Sequence, residues 1–169
     1  MKLLKIIFLF ICVSTAAQQT KVGTVDIDFI LSKMPEMETV QKQVEEYSNS
    51  LNTQLTQKLD NYKAMVADYQ SNEVSFTIAQ KKTKQDSIFA LENDITKYRQ
   101  NAGTLISLKQ EEFLNPLYQK VGVSLEKIAE AQGYTQVLLR DNSVVYVDNR
   151  FDLTIAILND MGIEVKREE

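Results

Sequence analysis

The sequence predicts a mostly helical α+β fold: a long antiparallel, coiled-coil-like helical hairpin projecting from a small body of β-sheet and helix. Three observations predict it. Apolar residues recur at steps of three and four through most of residues 36–132. Only five glycines and two prolines serve 169 residues; turns draw on both residue types, so the elements are few and long. Strand-favouring β-branched residues gather near the two ends of the mature chain, at 22–25 and 144–147.

The chain opens "MKLLKIIFLFICVSTAAQQT": Lys2 and Lys5, an apolar run from Ile6 to Val13, then small residues to Ala17. This is the layout of a cleaved secretory leader, too short in its apolar part to span a bilayer of about 20 residues. Cleavage is expected after Ala17, with Gln18 as the alternative. Cys12 follows Ile11, where lipid attachment needs a small residue, so it reads as part of the leader. Losing Lys2 and Lys5 takes the formal net charge from −4 to −6. The product is expected in the periplasm.

What the chain lacks narrows its chemistry. It has no His, and Cys12 is its one cysteine. The commonest general base and metal ligand is therefore missing, and a cysteine zinc site is ruled out. Asp26 and Asp28 resemble a carboxylate pair, but with no third ligand nearby they read as helix caps. No phosphate-binding glycine loop or nucleophile constellation is present. The reading is of a non-enzyme without cofactor or metal, and without a nucleic-acid partner.

Along the mature chain, "KVGTV" gives a strand at 22–25, followed by a short helix capped by Asp26 or Asp28 and stopped by Pro35. Pro35 also suits the start of the next helix. There the apolar positions Met37, Val40, Val44, Tyr47, Leu51, Leu55, Leu59, Tyr62, Val66 and Tyr69 form a heptad-like seam with one stutter. About 35 residues at 1.5 Å give a helix of roughly 50 Å, which needs an equally long partner. The pattern lapses at 71–73, where a reversal is expected. A second seam follows at Ile88, Leu91, Ile95, Tyr98, Ala102 and Leu105, and continues through Phe113, Leu117, Val121, Leu125 and Ile128. Pro116 predicts a kink or short break. Gly103 and Gly122 read as points of flexibility or close packing. Gly133 ends the helix.

"GYTQVLLRDNSVVYVD" then reads as strand, a turn at Asp141 and Asn142, and a second strand. Asp152 caps a last helix that Gly162 stops. A two-stranded hairpin is marginal alone, so the strand near Val22 must join it. The domains are therefore a leader at 1–17, a body at 18–35 and 117–169, and a hairpin arm at 36–116 with its tip near 70–76.

The chain resembles the OmpH-like (Skp) family of periplasmic chaperones for outer-membrane proteins. The resemblance rests on "KVGTVDIDFILSKMPEME" after a leader, "LNPLYQKVGVSLEKIAEAQGYTQVLL" and "SVVYVDNRFDLTIAILNDMG", with Gly133, Tyr134, Tyr146 and Asp152 at the family's strand and helix junctions. It spans the whole mature chain, though the arms match only in generic coiled-coil character. It implies a homotrimer joined through the β-body, with Val22, Val25, Val137, Leu139, Val145 and Val147 as candidate joint residues. It also implies helical arms around a cavity that holds unfolded outer-membrane β-barrel proteins without ATP.

Weak, dispersed apolar contact suits a binder of many sequences. Candidate client contacts toward the tip are Met65, Val66, Tyr69, Val74, Phe76, Ile78 and Phe89, of which Val74, Phe76 and Ile78 lie nearest the turn. Any of them could instead pack the two arm helices together. Lys81, Lys82 and Lys84 form a basic cluster that suits acidic segments, anionic lipid or lipopolysaccharide, or is simply a solvated helix face. Such proteins are often strongly basic. This chain is acidic, with a pI near 5.0, which argues against bulk electrostatic capture but not against enclosure. The alternative reading is an exported structural coiled-coil protein of the cell envelope that holds no client.

Overall fold

Residues 20–165 are described in the computed structural model; the expected leader at 1–17 lies outside them. The elements in chain order are β1 (Val22–Val25), α1 (Ile27–Lys33), α2 (Glu36–Asn72), α3 (Ile78–Ala131), β2 (Gln136–Leu139) and α4 (Thr154–Asp160), with single 3₁₀ turns at Glu73–Ser75 and Asn149–Phe151. They divide into two units: residues 31–121, and residues up to 30 together with those from 122 onward.

The second of these units is built on β1. β1 pairs in parallel with β2, Val22 opposite Gln136 and Val25 opposite Leu139, and Thr24 makes a further parallel bridge with Asp152. A parallel pair so far apart in sequence needs a long crossover, and the helical chain between supplies it. Asp26 caps α1, its Oδ1 accepting from the Phe29 amide at 2.8 Å. The Asp26 amide in turn donates to Thr154 Oγ1 at 2.9 Å, tying the first helix to the last. Val25, Ile30, Leu153, Ile157 and Leu158 are buried as the core. Gly23 permits the close approach of this core: a Cβ there would lie 2.5 Å from Leu153 Cδ1 and 2.9 Å from the Tyr134 ring. Asp152 Oδ1 accepts from the Thr154 amide at the head of α4. Gly133 and Gly162, at φ +71° and +75°, end α3 and α4. The amides that follow them return to Ala129 and Leu158 carbonyls, the geometry of a glycine-capped helix end.

The expected second strand does not form. Residues 144–147 lie in no ladder, and Val145 and Tyr146 are 99% and 83% exposed. The turn is made, since the Val144 amide donates to the Asp141 carbonyl and Asp141 Oδ1 accepts from the Ser143 amide. However, among the described residues no non-glycine residue has positive φ. The primed turns that match strand twist need positive φ at a central residue, so this turn directs the chain away from β2. A 3₁₀ turn follows, fastened by Asp148. Its carboxyl accepts from the Arg150 guanidinium and amide, and the paired Arg150 holds it at a pKa of about 2.

The other unit is the helical hairpin. Every predicted seam position of α2 is buried or half-buried, from Met37 to Tyr69. Cross-helix contacts show the antiparallel run, since partners advance along α2 as they retreat along α3. Glu36 meets Lys120 at 2.7 Å, Gln54 Oε1 accepts from the Tyr98 hydroxyl at 3.2 Å, Lys58 meets Asp94 at 2.6 Å and Asp68 meets Lys84 at 2.6 Å. The Lys120 ammonium, chiefly by hydrogen bonding, holds the Glu36 carboxyl below its ordinary pKa.

One expectation for α3 is corrected, and the kink or short break expected at Pro116 is narrowed. The seam passes through Ile106, half-buried, while Leu105 is exposed. After Ala102 a step of four is needed, because a straight α-helix drifts against a strict heptad. At Pro116 the helix does not break. Pro116 forgoes one hydrogen bond, to the carbonyl four residues earlier. The half-buried Phe113 and buried Leu117 anchor the helix on either side. Close packing is also excluded at Gly103 and Gly122, where an added Cβ would meet nothing within 4 Å. Gly103→Ala is therefore expected to raise stability by about 0.5–1 kcal/mol, read from the denaturant midpoint at unchanged m-value.

Candidate apolar contact surface

The hairpin's reversal leaves the tip residues with few neighbours. α2 ends at Asn72, the 3₁₀ turn carries Glu73–Ser75, and Thr77 opens α3 with a capping box: its hydroxyl accepts from the Gln80 amide, and Gln80 Oε1 accepts from the Thr77 amide. This tight geometry turns Val74 and Ile78 outward, 97% and 89% exposed. Phe89, three turns into α3 and off the seam, is 65% exposed. Val74 and Ile78 flank the turn and Phe89 stands about 16 Å along α3 from Ile78, so the outer part of the hairpin offers separate apolar side chains as candidates for contact.

The remaining tip candidates pack inward. Met65, Val66, Tyr69 and Phe76 are half-buried. The Phe76 and Tyr69 ring centroids lie 6.2 Å apart, and the Tyr69 hydroxyl accepts from Gln85 Nε2 at 2.7 Å. These residues mainly close the hairpin. Periodicity missed the exposed Leu108, Tyr118 and Val123 and misassigned Leu105; all four lie on α3 outside the seam. Leu108 carried a signal: it is an apolar residue at a position the three–four pattern leaves to polar ones.

The three lysines do not form a free basic patch. Lys81 pairs with Glu73 at 3.6 Å, Lys82 with Asp86 at 3.0 Å and Lys84 with Asp68 at 2.6 Å. Lys84 also lies 4.8 Å from the Phe76 ring centroid. Its hydrogen bond lowers the Asp68 pKa, so this carboxylate stays charged and the pair stays matched. The tip thus presents apolar side chains within a rim of neutralised charge.

In the unit that holds the sheet, Val25 belongs to the core, Val137 and Val147 are half-buried, and Val22, Leu139 and Val145 are exposed. β2 has one ladder partner, β1, so its far edge is open. In the same unit α3 and α4 are joined by Asp160, whose carboxylate accepts from Ser124 Oγ and from Lys127. The Lys127 bond first and the Ser124 bond second hold its pKa below the ordinary value. Among the described residues no group of His, Cys, Asp and Glu is placed to hold a metal ion, and no helix is long and apolar enough to cross a membrane.

The model of the OmpH-like outer membrane protein family matches residues 21–161, nearly the whole described chain. The chain belongs to the OmpH-like family. It is 26% identical over 157 residues to a protein named Chaperone protein Skp from Yersinia enterocolitica, covering 89% of this chain and 91% of that one. Its fold matches the crystal structure of an OmpH-like protein from Caulobacter crescentus CB15, described as a candidate outer membrane chaperone. The TM-score is 0.63 at 13% identity, over 84% of this chain and 83% of that one. The OmpH-like fold is thus the long helical hairpin that the sequence led us to expect, with a small sheet of two strands rather than the three expected.

Proposed function

We propose that this OmpH-like protein is a periplasmic, ATP-independent holdase. It binds unfolded outer-membrane β-barrel proteins and keeps them from aggregating. It is exported by a cleaved leader at 1–17 and works as a homotrimer, with the body around 18–35 and 117–169 as the joint and the hairpin arms around 36–116 enclosing the client. The observation that carries this reading is the exposure of Val74, Ile78 and Phe89 on the outer part of the hairpin. A relative covering most of the chain is named a chaperone, and a binder of varied unfolded segments needs contacts of this kind, apolar, shallow and without geometric demands. The open β2 edge and the unpaired segment at 143–147 support self-assembly, because an exposed strand edge beside apolar side chains is a template for pairing.

The lysine pairing turns this reading toward apolar contact. With Lys81, Lys82 and Lys84 each matched by a carboxylate, attraction of acidic segments, phospholipid headgroups or lipopolysaccharide becomes secondary. The triple variant Val74→Ser, Ile78→Ser and Phe89→Ser is expected to bind a urea-unfolded β-barrel protein about tenfold more weakly, equivalent to about 1.4 kcal/mol, with its mass in solution unchanged. Tryptophan fluorescence of the client can read the binding, since this chain has no Trp. Unchanged affinity would remove the tip from the site.

A further inference from the structure

The hairpin is not equally well closed along its length. At one end of this unit Leu31, Met34, Val40, Leu117 and Val121 are buried, and midway Leu51 and Ile95 are buried. Beyond that pair, from residue 52 to residue 94, no residue is buried. The seam positions Leu55, Leu59, Tyr62, Val66, Ile88 and Leu91 are all only half-covered there.

The boundary is well fastened. The Tyr98 hydroxyl reaches the Leu51 carbonyl at 3.4 Å and Gln54 Oε1 at 3.2 Å. Lys58 meets Asp94 at 2.6 Å and lies 5.4 Å from the Tyr98 ring centroid. Farther out the two helices are joined mainly by exposed polar contacts: Lys84 with Asp68, Gln85 with Tyr69, and Lys81 with Glu73. Exposed ion pairs contribute little to stability. Local opening follows the supply of buried apolar contacts, and that supply ends at one identifiable place.

We infer that the hairpin beyond the Leu51–Ile95 pair opens locally as one unit, and that its parted seam is a second apolar surface for unfolded polypeptide. This rests on the holdase reading. The occupant follows from continuity: Val74, Ile78 and Phe89 lie on the same outer segment, so a client segment at the tip is already beside the seam. Leu, Tyr, Val and Ile side chains then exchange contact with the opposing helix for contact with the client. Such exchange lets one chain hold few or many apolar segments without a fixed site.

Two measurements on the full chain carrying Cys12→Ser test this. Hydrogen exchange of the free protein is expected to show amides of 52–94 exchanging at least tenfold faster than those of 36–51 and 96–115, with the outer amides rising together. Equal protection along the hairpin overturns the inference whatever the protein does with clients. The second variant adds Asp68→Cys and Lys84→Cys, bridged by a short bismaleimide. The bridge is expected to slow exchange in 52–94 alone and to raise about threefold the amount of protein needed to suppress aggregation of an unfolded β-barrel protein. The unbridged cysteine variant serves as the reference. If the bridge slows exchange and leaves suppression unchanged, the seam holds no client, and the holdase reading stands without it. If the unbridged protein suppresses nothing, the holdase reading fails and the client role of the seam fails with it, while the exchange pattern still decides the opening.

Discussion

Ile157→Ala is expected to destabilise the sheet-bearing unit by about 2–5 kcal/mol, through lost apolar burial and the cavity left behind. Ile157 is fully buried together with Leu158 on α4 and Leu153 just before it, in the same core as Val25 and Ile30. That core is small, and small units bury a lower fraction of their surface and have little stability in reserve. α4 has only seven residues, too few to be stable without packing. Its attachment depends on this apolar face together with the Asp26–Thr154 and Asp160–Ser124 hydrogen bonds. Equilibrium denaturation of the variant against the parent measures the loss. Val123→Ala, at a position 69% exposed in the same unit, should move the midpoint by less than about 0.5 kcal/mol in the same experiment. A comparable loss at both positions would mean that the described core is not what stabilises the unit.

If the protein is the trimer proposed above, the pair Val145→Lys and Tyr146→Lys is expected to reduce the mass of the particle in solution from three chains to one. A Tyr side chain can bury about 150–250 Å² of surface, worth several kcal/mol at each joint at about 25 cal/mol per Å². In a single chain these two side chains cover nothing, and their backbone joins no ladder. β2 meanwhile offers an open edge within reach of another copy's strand. Lysines at a strand edge oppose pairing by charge and by the cost of desolvation. Light scattering coupled to size exclusion reads the outcome directly. The tip variant described above should retain the mass of the parent. A trimer that survives both lysines would place the joint elsewhere.

Legibility followed the range of the interactions. The α2 seam, the cap of α1 and the glycine stops at Gly133 and Gly162 depend on neighbours within a turn or two; the seam and the stops were readable from spacing and residue type, and the cap was narrowed to Asp26 or Asp28. The pairing of β1 with β2 was readable for another reason: a lone pair of strands needs a partner, and one candidate existed. Leu105 and Ile106 show where spacing stops being decisive, since steps of three and four are both allowed and the three-dimensional drift of the helix chooses. The segment at 144–147 has strand composition but no strand partner in its own chain, and composition does not say whether a partner is internal or external. At the tip, periodicity marked Val74 through Ile78 as leaving the seam. It could not show that Phe76 folds back on Tyr69 while its neighbours at 74 and 78 do not. The basic cluster was plain in the sequence, and Asp86 at four residues from Lys82 was within reach of spacing alone, but the partner of Lys84 was not: Asp68 lies 16 residues before it, and only the hairpin register brings them together.

The most direct measurement of the central claim is light scattering from an unfolded outer-membrane β-barrel protein diluted out of urea with increasing amounts of the processed chain and no nucleotide. The account predicts that aggregation is suppressed at a near-stoichiometric ratio of trimer to client and that added ATP changes nothing. Aggregation that proceeds at the same rate and to the same extent with the chain present would contradict it, leaving a structural coiled-coil protein of the cell envelope as the better description.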